Sequence, residues 1–160
     1  MDLFQQQMNR KDEHVGHANQ QYRATSAPEF VETRFVHHPF TTVDVADVSL
    51  QTELAGLTFD VPFFINAITA GGEDCNKINQ DFMEVSEKCG IKFFPGSYSP
   101  ALKSKEDEEA YPKGYSVNLG LDKDPKLVLE AIEKSQAKYI QLHTNPLQEI
   151  VMPEGDHNFE

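Results

Sequence analysis

Tryptophan is absent, and cysteine occurs only at positions 75 and 89. Both thiols fall in one stretch of helical pattern, with neither the spaced pairs of a disulfide framework nor zinc-ligand spacing. That usage fits a reducing compartment, and both side chains are expected to be half-buried packing groups. Cationic residues are scarce as well: 14 Lys and Arg stand against 26 Asp and Glu, for a formal net charge of -12. Nonspecific attraction to nucleic acid or an anionic membrane is therefore not expected. An anionic ligand would have to be held by a local cluster of cations or by a metal. Long apolar runs are missing too. The longest, around Val61 to Ile68, is broken by Pro62 and Asn66 and falls well short of the roughly 20 residues of a membrane span. The opening MDLFQQQMNRKDEH has no apolar core and no small-residue cleavage site, so no secretory leader is expected. A soluble cytoplasmic protein without nucleic-acid or membrane partners is the expectation.

Four short apolar runs are present: VPFFINA, IKFFP, YSVNL and KYIQLH, beginning near Val61, Ile91, Tyr115 and Lys138. Each is bounded by Gly, Pro or polar residues, as buried strands are. Between the first two, Ile78, Phe82, Val85 and Cys89 recur at helical spacing, and Gly90 follows as a C-terminal cap. Between the last two, Asp124 caps a helix with Pro125 in its first turn and Leu127, Val128, Ala131 and Ile132 as its apolar stripe. SPALKSKEDEEA supplies a third, more polar helix. Strand and helix alternate as in βαβ units, which implies a parallel sheet and the α/β class. Upstream, SLQTELAGLTFDV predicts a hairpin turning at Ala55-Gly56. RKDEHVGHANQQY reads as helical or irregular, and its Arg10-Lys11 pair stands out in an acidic chain. The whole chain, 1–160, reads as one unit: an N-terminal extension and hairpin over 1–60, then parallel βα units over 61–160.

All four strands run into small or polar residues: NAITAGG, PGSYS, NLG and HTNPLQE. In parallel α/β architectures that edge gathers ligands, because the loops converge there above a packed sheet. Taken singly these residues are ordinary. Gly71-Gly72 and Gly96-Ser97 are turn chemistry, Gln148-Glu149 suits a solvated helix start, and a lone histidine such as His143 is more often structural. His37-His38 lacks metal-ligand spacing. Asn66 inside an apolar strand is harder to dismiss, since a buried amide needs partners.

RKDEH, RFVHH, VDVADVSLQTELAG, PFFINAITAGG, GSYSPAL, NLG and QLHTNPLQEIVMPEGD run in order over nearly the whole chain. Together they resemble the type 2, FMN-dependent isopentenyl-diphosphate delta-isomerases. The resemblance implies a (β/α)8 TIM barrel, of which this chain would be a partial one with about the first four βα units. It implies an isomerase of isoprenoid biosynthesis that interconverts isopentenyl and dimethylallyl diphosphate, using reduced FMN, NADPH as the flavin's reductant, and Mg²⁺. By the same resemblance Arg10 and Lys11 grip the substrate diphosphate and His143 and Asn145 add substrate contacts. Gln148 lies beside the allylic carbons as the catalytic side chain, and Glu149 binds Mg²⁺. Ala67, Ile68, Thr69, Ser97 and Asn118 contact the flavin.

There are departures. NAITAGG carries Ile68 and Ala70 where the family has Met and Gly, and HHPFTT has lost the acidic end of its motif. The resemblance covers about the first half of a family member, whereas a complete barrel needs about 250 residues and tends to hold phosphate after strands seven and eight. The chain alone is therefore expected to bind FMN weakly and to be inactive. Its expected partners are a complementary C-terminal half-barrel or a second copy. The alternative is a noncatalytic half-barrel fragment or partner-binding module.

Overall fold

The computed structural model describes residues 3–22, 32–40, 42–152, 155 and 157–158. Thr41 of HHPFTT and Pro153, Glu154 and Asp156 of the last motif lie outside the described residues. Helix α1 spans Leu3–Gln21, so the basic Arg10-Lys11 pair sits in mid-helix. It packs on α2, Glu73–Cys89: the Cys75 thiol lies 3.7 Å from the Lys11 carbonyl, and Met8 is buried beside Gly71.

The hairpin forms as expected. Strands β1 (Thr52–Leu54) and β2 (Leu57–Phe59) pair antiparallel. Ala55 and Gly56 both adopt positive φ, 51° and 76°, as the two-residue turn favoured by strand twist demands.

Helix α2 ends where Gly90 turns left-handed at φ 66°. Its buried face differs from the expected stripe. Cys75, Asn79 and Ser86 are buried, with Phe82 half-buried, while Val85 and Cys89 are exposed. Hydrogen bonds set that rotation: Asn79 Nδ2 donates to the Thr69 carbonyl at 3.0 Å and Ser86 Oγ to the Ile91 carbonyl at 2.6 Å. The expectation that Cys89 is half-buried is thereby corrected, whereas Cys75 is buried.

Of the four runs read as buried strands, two form a ladder. Strand β3, Ser116–Gly120, pairs parallel with β4, Tyr139–His143. The first run touches the second at one parallel bridge, Ile65 with Phe93, and the second touches the third at Ser97 with Asn118. Pro62 and Pro95 offer no backbone N–H, which limits how far pairing can extend there. The parallel order of neighbours follows the chain, and there are small sheets and no closed barrel among the described residues. The fourth run is not buried: Ile140 and Leu142 lie on the same face as Val117 and Leu119 but remain exposed.

Helix α4, Pro125–Ser135, lies over β3. Asp124 accepts a hydrogen bond from the Lys126 amide at its N-terminus. The core joins Val117 and Leu119 to Ala131, Tyr98, Ala101 and Tyr111; full burial of a side chain such as Leu119 contributes about 1.5–3 kcal/mol. Tyr98 and Tyr111 meet edge to face with centroids 4.6 Å apart, in a favoured aromatic arrangement. Burial keeps the Tyr111 phenol protonated, and its hydroxyl lies 3.0 Å from the Gly96 carbonyl and 3.2 Å from that of Ser116. The polar segment forms the short helix α3, Lys105–Ala110, and α5 runs Pro146–Val151.

Candidate functional site

Alternation along β3 turns Val117 and Leu119 toward α4 and leaves Asn118 and Gly120 on the opposite face. That face opens at the C-terminal ends of the strands into a cavity of about 990 Å³, within the size range of small-molecule sites. Helix α1 lines it with Arg10 and Lys11, the segment after the first run with Ala67 and Ile68, and the second run's end with Gly96 and Ser97. Asn118 and His143 enter from the β3 and β4 ladder, and Asn145, Gln148 and Glu149 from the start of α5. Asn145 is the N-cap of α5: its Oδ1 accepts from the Gln148 amide at 3.2 Å while its Nδ2 donates to Gln148 Oε1 at 2.8 Å. One cap thus orients two of the polar groups.

Ten of the residues assigned from the resemblance therefore share one space. Thr69 is the exception among the described residues. Its carbonyl accepts from Asn79, and its backbone packs so closely on Gly96 that a Cβ there would strike the Thr69 carbonyl. Asn66, expected to be buried, is exposed, because the first run forms a single bridge rather than an inner strand. Its amide has a partner nonetheless: Gln141 Nε2 donates to Asn66 Oδ1 at 3.2 Å.

Sequence reasoning missed several lining groups. Lys103, Asp122 and Lys123 reach the cavity, as do His14 and His17 one and two turns after the basic pair. For Lys103 and Lys123 the signal was a cationic residue close behind GSYSPAL and NLG in an acidic chain. Four cations, Arg10, Lys11, Lys103 and Lys123, thus face two carboxylates, Asp122 and Glu149. In a chain of net charge -12 this is a local reversal of sign.

The crowding shifts titrations. Burial lowers the pKa of Lys11 below the ordinary lysine value, with Arg10 and Lys103 adding repulsion and Cys75 opposing. His143 is lowered by burial first, then by Lys11, against Glu149, with Lys123 adding to the fall. His14 is lowered by burial and by Lys11 and Arg10. An anion in the cavity would relieve all three.

No group of three or more His, Cys, Asp or Glu that could hold a metal ion occurs among the described residues. A hard cation that binds through one carboxylate, waters and phosphate needs no such cluster, and Glu149 presents a carboxylate to the cavity. Ala67, Ile68, Ser97 and Asn118 line the same cavity. No helix among the described residues is long and apolar enough to cross a membrane.

No protein-family model matches the chain. Over 157 residues it is 37% identical to an isopentenyl-diphosphate delta-isomerase of Streptococcus mutans serotype c, an alignment covering 94% of this chain and 47% of that protein. Proteins of the same name from Streptococcus gordonii and Streptococcus pyogenes serotype M1 are each 36% identical over 157 residues, covering 94% of this chain and 46% and 47% of theirs. The chain spans about half the length of the curated relatives it matches, and over that half it is homologous to proteins named isopentenyl-diphosphate delta-isomerase.

Proposed function

We propose that this chain is the N-terminal half of a type 2 isopentenyl-diphosphate delta-isomerase, a partial (β/α)8 barrel that needs complementary strands for activity. One observation carries the reading: a cavity rich in cations, with a carboxylate at its α5 rim, in an otherwise acidic chain homologous to isomerases of that name. Arg10 and Lys11 would hold diphosphate oxygens by charge-assisted hydrogen bonds, and Glu149 would bind Mg²⁺ together with water and phosphate oxygens. His143 and Asn145 would fix the head group, leaving Gln148 beside the allylic carbons. Ala67, Ile68, Ser97 and Asn118 would carry the flavin ring; Thr69, which is not among the cavity-lining residues, is the assigned flavin contact with the least support.

Bound reduced FMN, replenished by NADPH, would supply the proton chemistry of a 1,3-allylic shift. The protein's own contribution is orientation and charge. An assay with isopentenyl diphosphate, FMN, NADPH and Mg²⁺, run with and without a supplied C-terminal half, tests the proposal. Turnover is expected only in the complemented mixture. There, Glu149→Ala should lower Mg²⁺-dependent turnover by more than about tenfold, a scale on which even outer partners of metal sites act, while His37→Ala, on an exposed residue outside the cavity, should not. Equal effects of the two substitutions would count against the site, and no turnover after complementation would favour a noncatalytic half-barrel.

A further inference from the structure

Four polar side chains form a continuous hydrogen-bonded line across the strand ends. Gln141 Nε2 donates to Asn66 Oδ1 at 3.2 Å, Asn118 Nδ2 donates to Gln141 Oε1 at 3.1 Å, and Asn118 Oδ1 lies 2.6 Å from His143 Nδ1. Asn118 and Gln141 are directly opposed in the ladder, and His143 opposes Gly120 one step along the same face. A carboxamide has one accepting and one donating end. As the structure orients Gln141, Nε2 lies on Asn66 Oδ1 and Oε1 is left to accept from Asn118. Asn118 then presents Nδ2 to Gln141 and Oδ1 to the imidazole, and only a protonated Nδ1 can satisfy that oxygen.

We infer that Gln141 is a positioning residue: acting through Asn118, it holds His143 in the Nδ1–H form, leaving Nε2 as the atom that accepts a proton or hydrogen bond on the cavity side. His143 Nε2 lies near Gly120, itself a cavity-lining residue, and a Cβ on that glycine would come 3.6 Å from it. Without Gln141, the Asn118 amide could turn over and present Nδ2 to the ring. That would favour the other tautomer, with its donor at Nε2. The line's direction therefore decides whether the neutral ring offers the cavity a lone pair or a hydrogen. The consequence for catalysis rests on the isomerase reading, but the tautomer itself does not.

The test is ¹⁵N NMR of the histidine-labelled 160-residue chain above the imidazole titration range, with His143 assigned by its absence in His143→Gln. Wild type is expected to carry the Nδ1–H signature. Gln141→Met should lose it to a mixture or to Nε2–H, and Gln141→Glu, whose carboxylate still accepts from Asn118, should keep it. Wild type with Nε2–H, or Gln141→Met with an unchanged Nδ1–H signature, would overturn the inference. If Gln141→Met does not fold, the exposed Asn66→Lys carries the test. A donor-only side chain there should reverse the line and switch His143 to Nε2–H; an unchanged tautomer would sink the proposal. Because this readout needs no turnover, an inactive isomerase assay and a failed tautomer test remain distinguishable.

Discussion

Burial first, and then the Lys11 cation, depresses the protonation of His143, against the opposing pull of Glu149. Replacing the cation with a neutral chain of similar length, Lys11→Met, should raise the His143 titration midpoint, read by NMR; a fixed or lower midpoint would contradict the proposed proximity. The same shift has a stability sign. His143 is easier to protonate in the unfolded chain, so its contribution is complete above the ordinary imidazole pKa and is lost as pH falls through its lower folded value. His14 acts in the same direction. Urea denaturation at pH 7.5 and at progressively lower pH should therefore show falling stability, with a smaller fall in His143→Gln. Gly96 is a residue-scale constraint of another kind. A side chain there meets the Thr69 backbone, so Gly96→Ala should cost about 1–3 kcal/mol as an overpacking substitution, measured by the same denaturation.

Helix starts and turns were the most legible elements because their chemistry is local. Asp124, Pro125 and Gly90 mark their helices by side-chain and backbone properties that do not depend on distant residues. Asp124→Ala should destabilise the protein by about 0.5–2 kcal/mol, and thermal unfolding would check it. The Ala55-Gly56 turn was equally plain, as few residue pairs tolerate two positive φ angles in succession. The strands were less so. VPFFINA and IKFFP have apolar content enough for strands, yet each meets its neighbour at a single bridge. Apolar periodicity also misjudged α2: the hydrogen bonds of Asn79 and Ser86 to distant and local carbonyls turn that helix, and no stripe of apolar residues encodes such a demand.

At the scale of the whole molecule, charge and apolar surface are both unevenly spread. Cations collect on one cavity, while Ile140 and Leu142 on β4 and Leu147, Ile150 and Val151 on α5 are exposed. An exposed strand edge with apolar neighbours invites pairing. Sedimentation velocity should show concentration-dependent association that Leu142→Asp with Ile150→Asp reduces; a wild-type monomer at all concentrations would refute this.

Local pattern was enough for the helix caps, the hairpin and the polar strand ends, because propensity, capping and turn geometry act over a few residues. It could not bring Arg10, Lys103, Lys123 and Glu149 to one cavity, leave Thr69 out of its lining, or set Asn66, Gln141, Asn118 and His143 in a line. Those relations join residues far apart along the chain, and they exist once the parallel ladder and the packing of α1 on α2 fix where each element ends.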